Sequence, residues 1–90
     1  MFLKDTALIF HRKGSESSVF EASDQDTAGP NYNYFGFLNA EGYWIIQRFD
    51  LRVANIISYR YASGLTGYST AWTNRGSLSY GLYNALFPST

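Results

Sequence analysis

The chain has 90 residues, no cysteine, seven basic and seven acidic side chains, and 19% aromatic residues. That length holds one domain, the aromatic content excludes a disordered chain, and the lack of thiols excludes both a disulfide framework and a thiolate zinc site. A formal net charge of zero lacks the basic surplus needed for sequence-independent binding to nucleic acid or an anionic membrane, so neither is an expected partner.

The first segment, Asp5 to Arg12, alternates weakly and predicts a strand that stops at the polar turn Lys13-Gly14-Ser15-Glu16. Its apolar run, Ala7 to Phe10, is too short for a signal h-region or a membrane span, which predicts a soluble chain. A short strand around Val19 to Ala22 can pair with it. Residues 23–30, small and polar and ending in Gly29-Pro30, predict an exposed linker inside one domain spanning 1–90.

Residues 31–61 predict a three-stranded antiparallel meander. A four-residue loop over Asn39-Ala40-Glu41-Gly42 places Leu38 opposite Tyr43, Phe37 opposite Trp44 and Phe35 opposite Ile46. A three-residue loop over Asp50-Leu51-Arg52 places Phe49 opposite Val53, Ile45 opposite Ile57 and Tyr43 opposite Tyr59. With these registers one face collects Phe35, Phe37, Trp44, Ile46 and Ile56 as a core. The other gathers Tyr34, Tyr43, Ile45, Phe49, Ile57, Tyr59 and Tyr61 and carries no charge. An antiparallel sheet with one solvent face alternates apolar with polar residues, so both faces need covers. A chain this small buries only about 60 to 65% of its unfolded surface, and the second face is therefore expected to be an interface with a partner.

After Tyr61 the chain turns through residues 63–67. Ser69 is a candidate N-cap for one short helical turn near residues 70–75, with Gly76 as its left-handed stop. Leu78, Tyr80 and Leu82, alternating with Ser77, Ser79 and Gly81, predict a final strand over 77–83, with Pro88 ending the pairing. Helical spacing never persists for three turns. The expected class is all-β: a small antiparallel sandwich or open barrel built on the three-stranded meander.

Residues 1–41 carry three basic and six acidic side chains, whereas residues 42–90 carry Arg48, Arg52, Arg60 and Arg75 against Asp50 alone. Such an imbalance suits two solvated faces attracting one another within the fold, or head-to-tail pairing between subunits. Catalytic constellations are missing. His11, beside Arg12 and Lys13, has no carboxylate near it in sequence, and no serine sits in a nucleophile elbow. The carboxylates Glu16, Glu21, Asp24, Asp26 and Glu41 lie in or beside predicted turns and read as solvated loop charges; Asp24-x-Asp26 lacks the glycine and closing glutamate of a calcium loop. No catalytic residue, metal site or cofactor is predicted.

Aromatic residues interleaved with arginine offer a second surface. Trp44, Arg48, Arg60 and Arg75, with Tyr59 and Tyr61 nearby in sequence, suit stacking of a sugar or of single-stranded nucleic acid. Alternation sends Tyr59 and Tyr61 to one face and Trp44, Arg48 and Arg60 to the other, and a Tyr- and Arg-rich surface is equally the composition of a protein contact.

Four stretches, Tyr34-Phe35-Gly36-Phe37-Leu38, Gly42-Tyr43-Trp44-Ile45-Ile46, Arg60-Tyr61-Ala62-Ser63-Gly64 and Tyr68 followed by Ala71-Trp72-Thr73-Asn74-Arg75, with a Tyr-rich close, resemble a family of very short proteins of tailed bacteriophages. The resemblance covers about two thirds of the chain and brings no catalytic motif. It implies a virion-associated structural protein, made in the bacterial host cytoplasm, whose partners are copies of itself and other virion proteins. The Tyr68 to Arg75 element is expected to seat Trp72 in the core and to leave Asn74 and Arg75 at the rim.

Overall fold

Five antiparallel strands in the order β1-β2-β3-β4-β5 form one open sheet, seen in a computed structural model that describes residues 7–10 and 18–86. The strands are β1 (Ala7–Phe10), β2 (Ser18–Asp26), β3 (Tyr32–Leu38), β4 (Trp44–Val53) and β5 (Ile56–Gly64), followed by two short helices, α1 (Tyr68–Thr73) and α2 (Tyr83–Leu86), with a single 3-10 turn, Arg75–Ser77, between them. The all-β class expected from composition is what the chain adopts. The sheet does not close into a barrel, and all strands among the described residues belong to it. The polar turn at 13–16, His11 and Pro88 lie outside the described residues.

Asn39 sets the β3–β4 hairpin. Its side-chain carbonyl oxygen accepts the Glu41 N–H at 3.0 Å and the Tyr43 N–H at 2.9 Å, and its own N–H donates to the Tyr43 carbonyl at 3.0 Å. Asparagine competes well for nearby backbone donors, so Tyr43 is drawn into a five-residue loop, which Gly42 completes at φ 93°. The expected four-residue loop is thereby lengthened by one. Leu38 pairs with Trp44, Phe37 with Ile45 and Phe35 with Gln47, and a one-residue slip turns every β3 side chain to the other face.

The β4–β5 hairpin differs from expectation by an even step. Residues 50–52 stay in β4, the reversal falls on Ala54-Asn55, and Asn55 takes φ 67°, a left-handed conformation that asparagine tolerates without glycine. A register shift between Asp50 and Val53 absorbs the extra residue, and Phe49 pairs with Tyr59, Gln47 with Tyr61 and Arg48 with Arg60. Because the period is two, the β5 faces stay as expected although the pairing moves.

β2 is longer than the sequence suggested. It runs to Asp26 and pairs Gln25 with Phe35 and Asp26 with Tyr34 across a bulge between Ala22 and Asp24. Only the second half of the expected 23–30 linker is a connection; the polar residues before it form an exposed strand.

The odd positions of β3–β5 share one face with Phe20, where Phe20, Phe37 and Ile45 form a buried cluster flanked by Phe35, Tyr43 and Tyr61. On the even face, Trp44, Ile46 and Ala62 meet Ala71 of α1, with Tyr34, Leu38, Tyr68, Trp72, Leu78 and Tyr80 packed around them. The expected core of Phe35, Phe37, Trp44, Ile46 and Ile56 is therefore split between two faces by the Asn39 loop, and Ile56 is exposed.

Residues 68–80 cover the even face without forming the predicted final strand. α1 begins after Gly67, at φ 77°, with no side-chain cap from Ser69, and ends where Asn74 donates to the Thr70 carbonyl from both backbone and side chain. Gly76 lies in the 3-10 turn and is not a left-handed stop. Leu78 and Tyr80 alternate because extended chain lying on a sheet points every second side chain into it. Of the final strand only Gly81 remains, bridged to Tyr61 by two backbone bonds of 2.8 and 2.9 Å. That bridge and the Arg60 Nη1 bond to the Tyr59 carbonyl at 2.9 Å cover part of the β5 edge, which an open sheet otherwise leaves ready for foreign strands.

Candidate contact surface

Charge is sorted by face. In β3–β5 the odd positions carry Asn, Phe, Ile, Gln, Leu, Val, Tyr and Ser only, whereas Arg48, Asp50, Arg52 and Arg60 stand at even positions. The uncharged face runs from its buried cluster into an aromatic row across three strands. The rings of Phe35 and Phe49 lie 5.0 Å apart and those of Phe49 and Tyr59 4.4 Å. Gln47 donates to the Tyr61 hydroxyl at 3.2 Å. Ile57 is 51% exposed and Tyr59 43%; Val53 and Ile56 at the hairpin end are also exposed.

Of the seven residues predicted for an interface, Phe49, Ile57 and Tyr59 share this open region, whereas Tyr61 packs at the Phe20 cluster with its ring 5.4 Å from that of Tyr83 in α2. Tyr43 packs at the Phe20 cluster. Ile45, at 1% exposure, is core and unavailable to a partner without unfolding. Tyr34 is a correction: the Asn39 loop turns it to the even face, where it packs beside Tyr80 at 6.1 Å between ring centres. Burial is the first cause holding its hydroxyl pKa above the ordinary tyrosine value.

The alternative set of Trp44, Arg48, Arg60 and Arg75 does share the even face, yet it forms no open platform. Trp44 is buried beneath α1 and its indole N–H donates to the Thr66 carbonyl at 2.7 Å. Arg75 is occupied: it donates to Asp26 at 2.8 and 3.2 Å and to the Trp72 carbonyl at 2.7 Å, and its guanidinium lies 4.5 Å from the Trp72 ring centre. That pair joins the acidic first part of the chain to the basic second part within one fold, and it holds the Asp26 carboxyl below its usual pKa with help from the Ala28 N–H. Beside it Tyr68 donates to Asp24 at 2.8 Å, and burial together with that bond pushes its pKa up. The Tyr68 to Arg75 element thus works as a latch on β2, with Trp72 half-buried beneath Arg75. Sequence reasoning missed both acidic partners because it read residues 23–26 as linker.

Arg48 and Arg60 remain, paired directly across β4 and β5. The Arg48 guanidinium lies 4.8 Å from the Tyr32 ring centre and 4.5 Å from that of Tyr80. Arg52 also lies over Tyr32, at 5.2 Å, and grips Asp50 through two bonds of 2.8 and 2.9 Å. Those bonds, with the Arg52 N–H, lower the Asp50 pKa to about 2. A depressed carboxylate pKa means that the stabilisation is present above the unfolded value and disappears as pH falls through about 2. The carboxyl carbon resonance of Asp50 is expected to titrate near pH 2 and to move toward ordinary aspartate in Arg52→Gln; an Asp50 midpoint near 4 in the unsubstituted chain contradicts the pair.

Among the described residues no three His, Cys, Asp or Glu side chains stand close enough to hold a metal, and no helix is long and apolar enough to cross a membrane. No protein-family model, curated protein or solved structure matches the chain.

Proposed function

We propose that the chain is a non-enzymatic structural protein of a tailed-phage particle, a capsid-decoration subunit or a tail connector or fibre-attachment subunit, acting through protein contacts made by the uncharged face of its sheet. The observation that carries the contact role is the exposure of Ile57 and Tyr59 at the open end of a face with no charged residue in three strands. Interface centres are depleted in charge and enriched in aromatic residues, while exposed apolar surface of this kind marks contact sites. The placement in a phage particle rests on the resemblance of residues 34–75 to short phage proteins. A carbohydrate or single-stranded nucleic acid platform has less support, since Trp44 is buried and Arg75 is engaged.

Quantitative mass spectrometry of purified particles tests the reading. The chain is expected in fixed stoichiometry with the major particle proteins. Its absence from particles overturns the proposal, and absence combined with glycan or oligonucleotide binding by the isolated chain favours the competing class.

A further inference from the structure

We propose that Arg48 and Arg60 form a seat for a phosphate group on the even face, away from the uncharged contact surface. Four arginines stand in the second half of the chain, and two of them have carboxylate partners, Arg52 with Asp50 and Arg75 with Asp26. Arg48 and Arg60 have none among the described residues, although they are direct cross-strand neighbours. Like charges directly opposite one another in a sheet are destabilising. A bound anion converts that repulsion into two attractions.

The seat is also preorganised. The Arg48 guanidinium lies 4.8 Å from the Tyr32 ring centre and 4.5 Å from that of Tyr80, both within cation–π distance, so binding need not freeze a mobile chain. Tyr80 is fixed in turn by its hydroxyl bond to the Arg75 carbonyl at 2.9 Å. Arg60 is tethered through Nη1 to the Tyr59 carbonyl, which leaves other N–H groups of its fork for a ligand. Arg48 Nε is buried without an acceptor, and no carboxylate bonds this guanidinium among the described residues. Ser58, two residues from Arg60 on the same face, adds a neighbouring hydroxyl.

Asp50 lies within reach of the Arg48 charge, but its oxygens are engaged by Arg52. The ligand is assigned from acceptor geometry. Two guanidinium forks on adjacent strands would have to share the two oxygens of one carboxylate, whereas a phosphate, with more oxygens and more negative charge, can turn separate oxygens to each fork.

Titration of the ¹⁵N-labelled chain with inorganic phosphate, at ionic strength held constant with sodium chloride, tests the seat. Saturable amide shifts are expected over Gln47 to Phe49 and Ser58 to Tyr61. Arg60→Gln, at the sheet edge and outside the ring stack, is expected to keep the fold and to weaken binding about tenfold, the loss of one charged hydrogen-bonding partner. Arg48→Gln is expected to do the same with a larger loss. Glycerol 3-phosphate in a second titration distinguishes the sources: tighter binding than free phosphate places the group on an organic monoester, and weaker binding identifies the free ion. An equal response to acetate overturns the phosphate assignment. Shifts that never saturate, or that survive unchanged in Arg60→Gln, overturn the seat. Particle incorporation depends on the other face, so this inference and the proposed function fail separately.

Discussion

Ile45→Lys is expected to leave the chain unfolded, whereas Ile57→Lys is expected to fold with nearly unchanged stability and to lose its contacts. The two isoleucines lie on one uncharged face, yet Ile45 is 1% exposed between Phe20 and Phe37 while Ile57 is 51% exposed. An unpaired ammonium at the first position costs several kcal/mol of desolvation, besides the lost packing. Domains are stable by about 5 to 15 kcal/mol in all, and a 90-residue chain stands toward the low end. At position 57 the lysine head reaches water, so the change in folding free energy is expected within about 0.5 kcal/mol. Urea unfolding followed by near-ultraviolet dichroism measures the folding difference, and incorporation into particles measures the contact. A folded, cooperative Ile45→Lys chain contradicts the core. If Ile57→Lys unfolds, the open end of the face is itself monomer core, and the contact role loses its main support.

The contrast between these positions also marks where the sequence was legible. Composition and alternation were enough for an all-β chain with a reversal near residue 40, since strand patterning depends on neighbours within the strand; the second reversal, expected at residues 50–52, falls at Ala54-Asn55. The face occupied by β5 survived a mistaken loop because its error was an even number of residues. The face occupied by β3 did not survive, because Asn39 extended its loop by one. A single side chain that accepts two backbone N–H groups can move a whole strand, and counting from matched residue types is blind to that bond. This one slip accounts for the misplaced Tyr34 and for the merged core.

The arginines were legible as a group and not as individuals. Four cations against one acid in the second half announced an imbalance, but the carboxylate that receives Arg75 lies 49 residues away, beyond any local pattern. The same distance hid the latch. Tyr68 and Arg75 approach β2 only because Gly36 leaves space on β3: a Cβ there would fall on the Tyr68 hydroxyl and 3.1 Å from the Trp72 ring.

A second large effect is expected at Gly64, which pairs directly with Trp44. A Cβ at position 64 would lie 2.5 Å from Cζ2 of the indole and 2.7 Å from its nitrogen, closer than atoms pack. The indole cannot step aside cheaply, because it is buried at 7% exposure and held by its bond to the Thr66 carbonyl. Alanine in a strand gains about 0.5 to 1 kcal/mol over glycine in backbone entropy, but overpacking costs about 1 to 3 kcal/mol, so Gly64→Ala is expected to destabilise the fold. Trp44→Phe removes the colliding atoms at a cost of about 2 kcal/mol in lost burial and the lost indole bond. Since each change relieves what the other strains, the double variant is expected about 1 to 2 kcal/mol more stable than the sum of the single losses. Chemical denaturation of the four chains closes the cycle. Strict additivity would mean that Gly64 is there for a reason other than the room it leaves for the Trp44 indole.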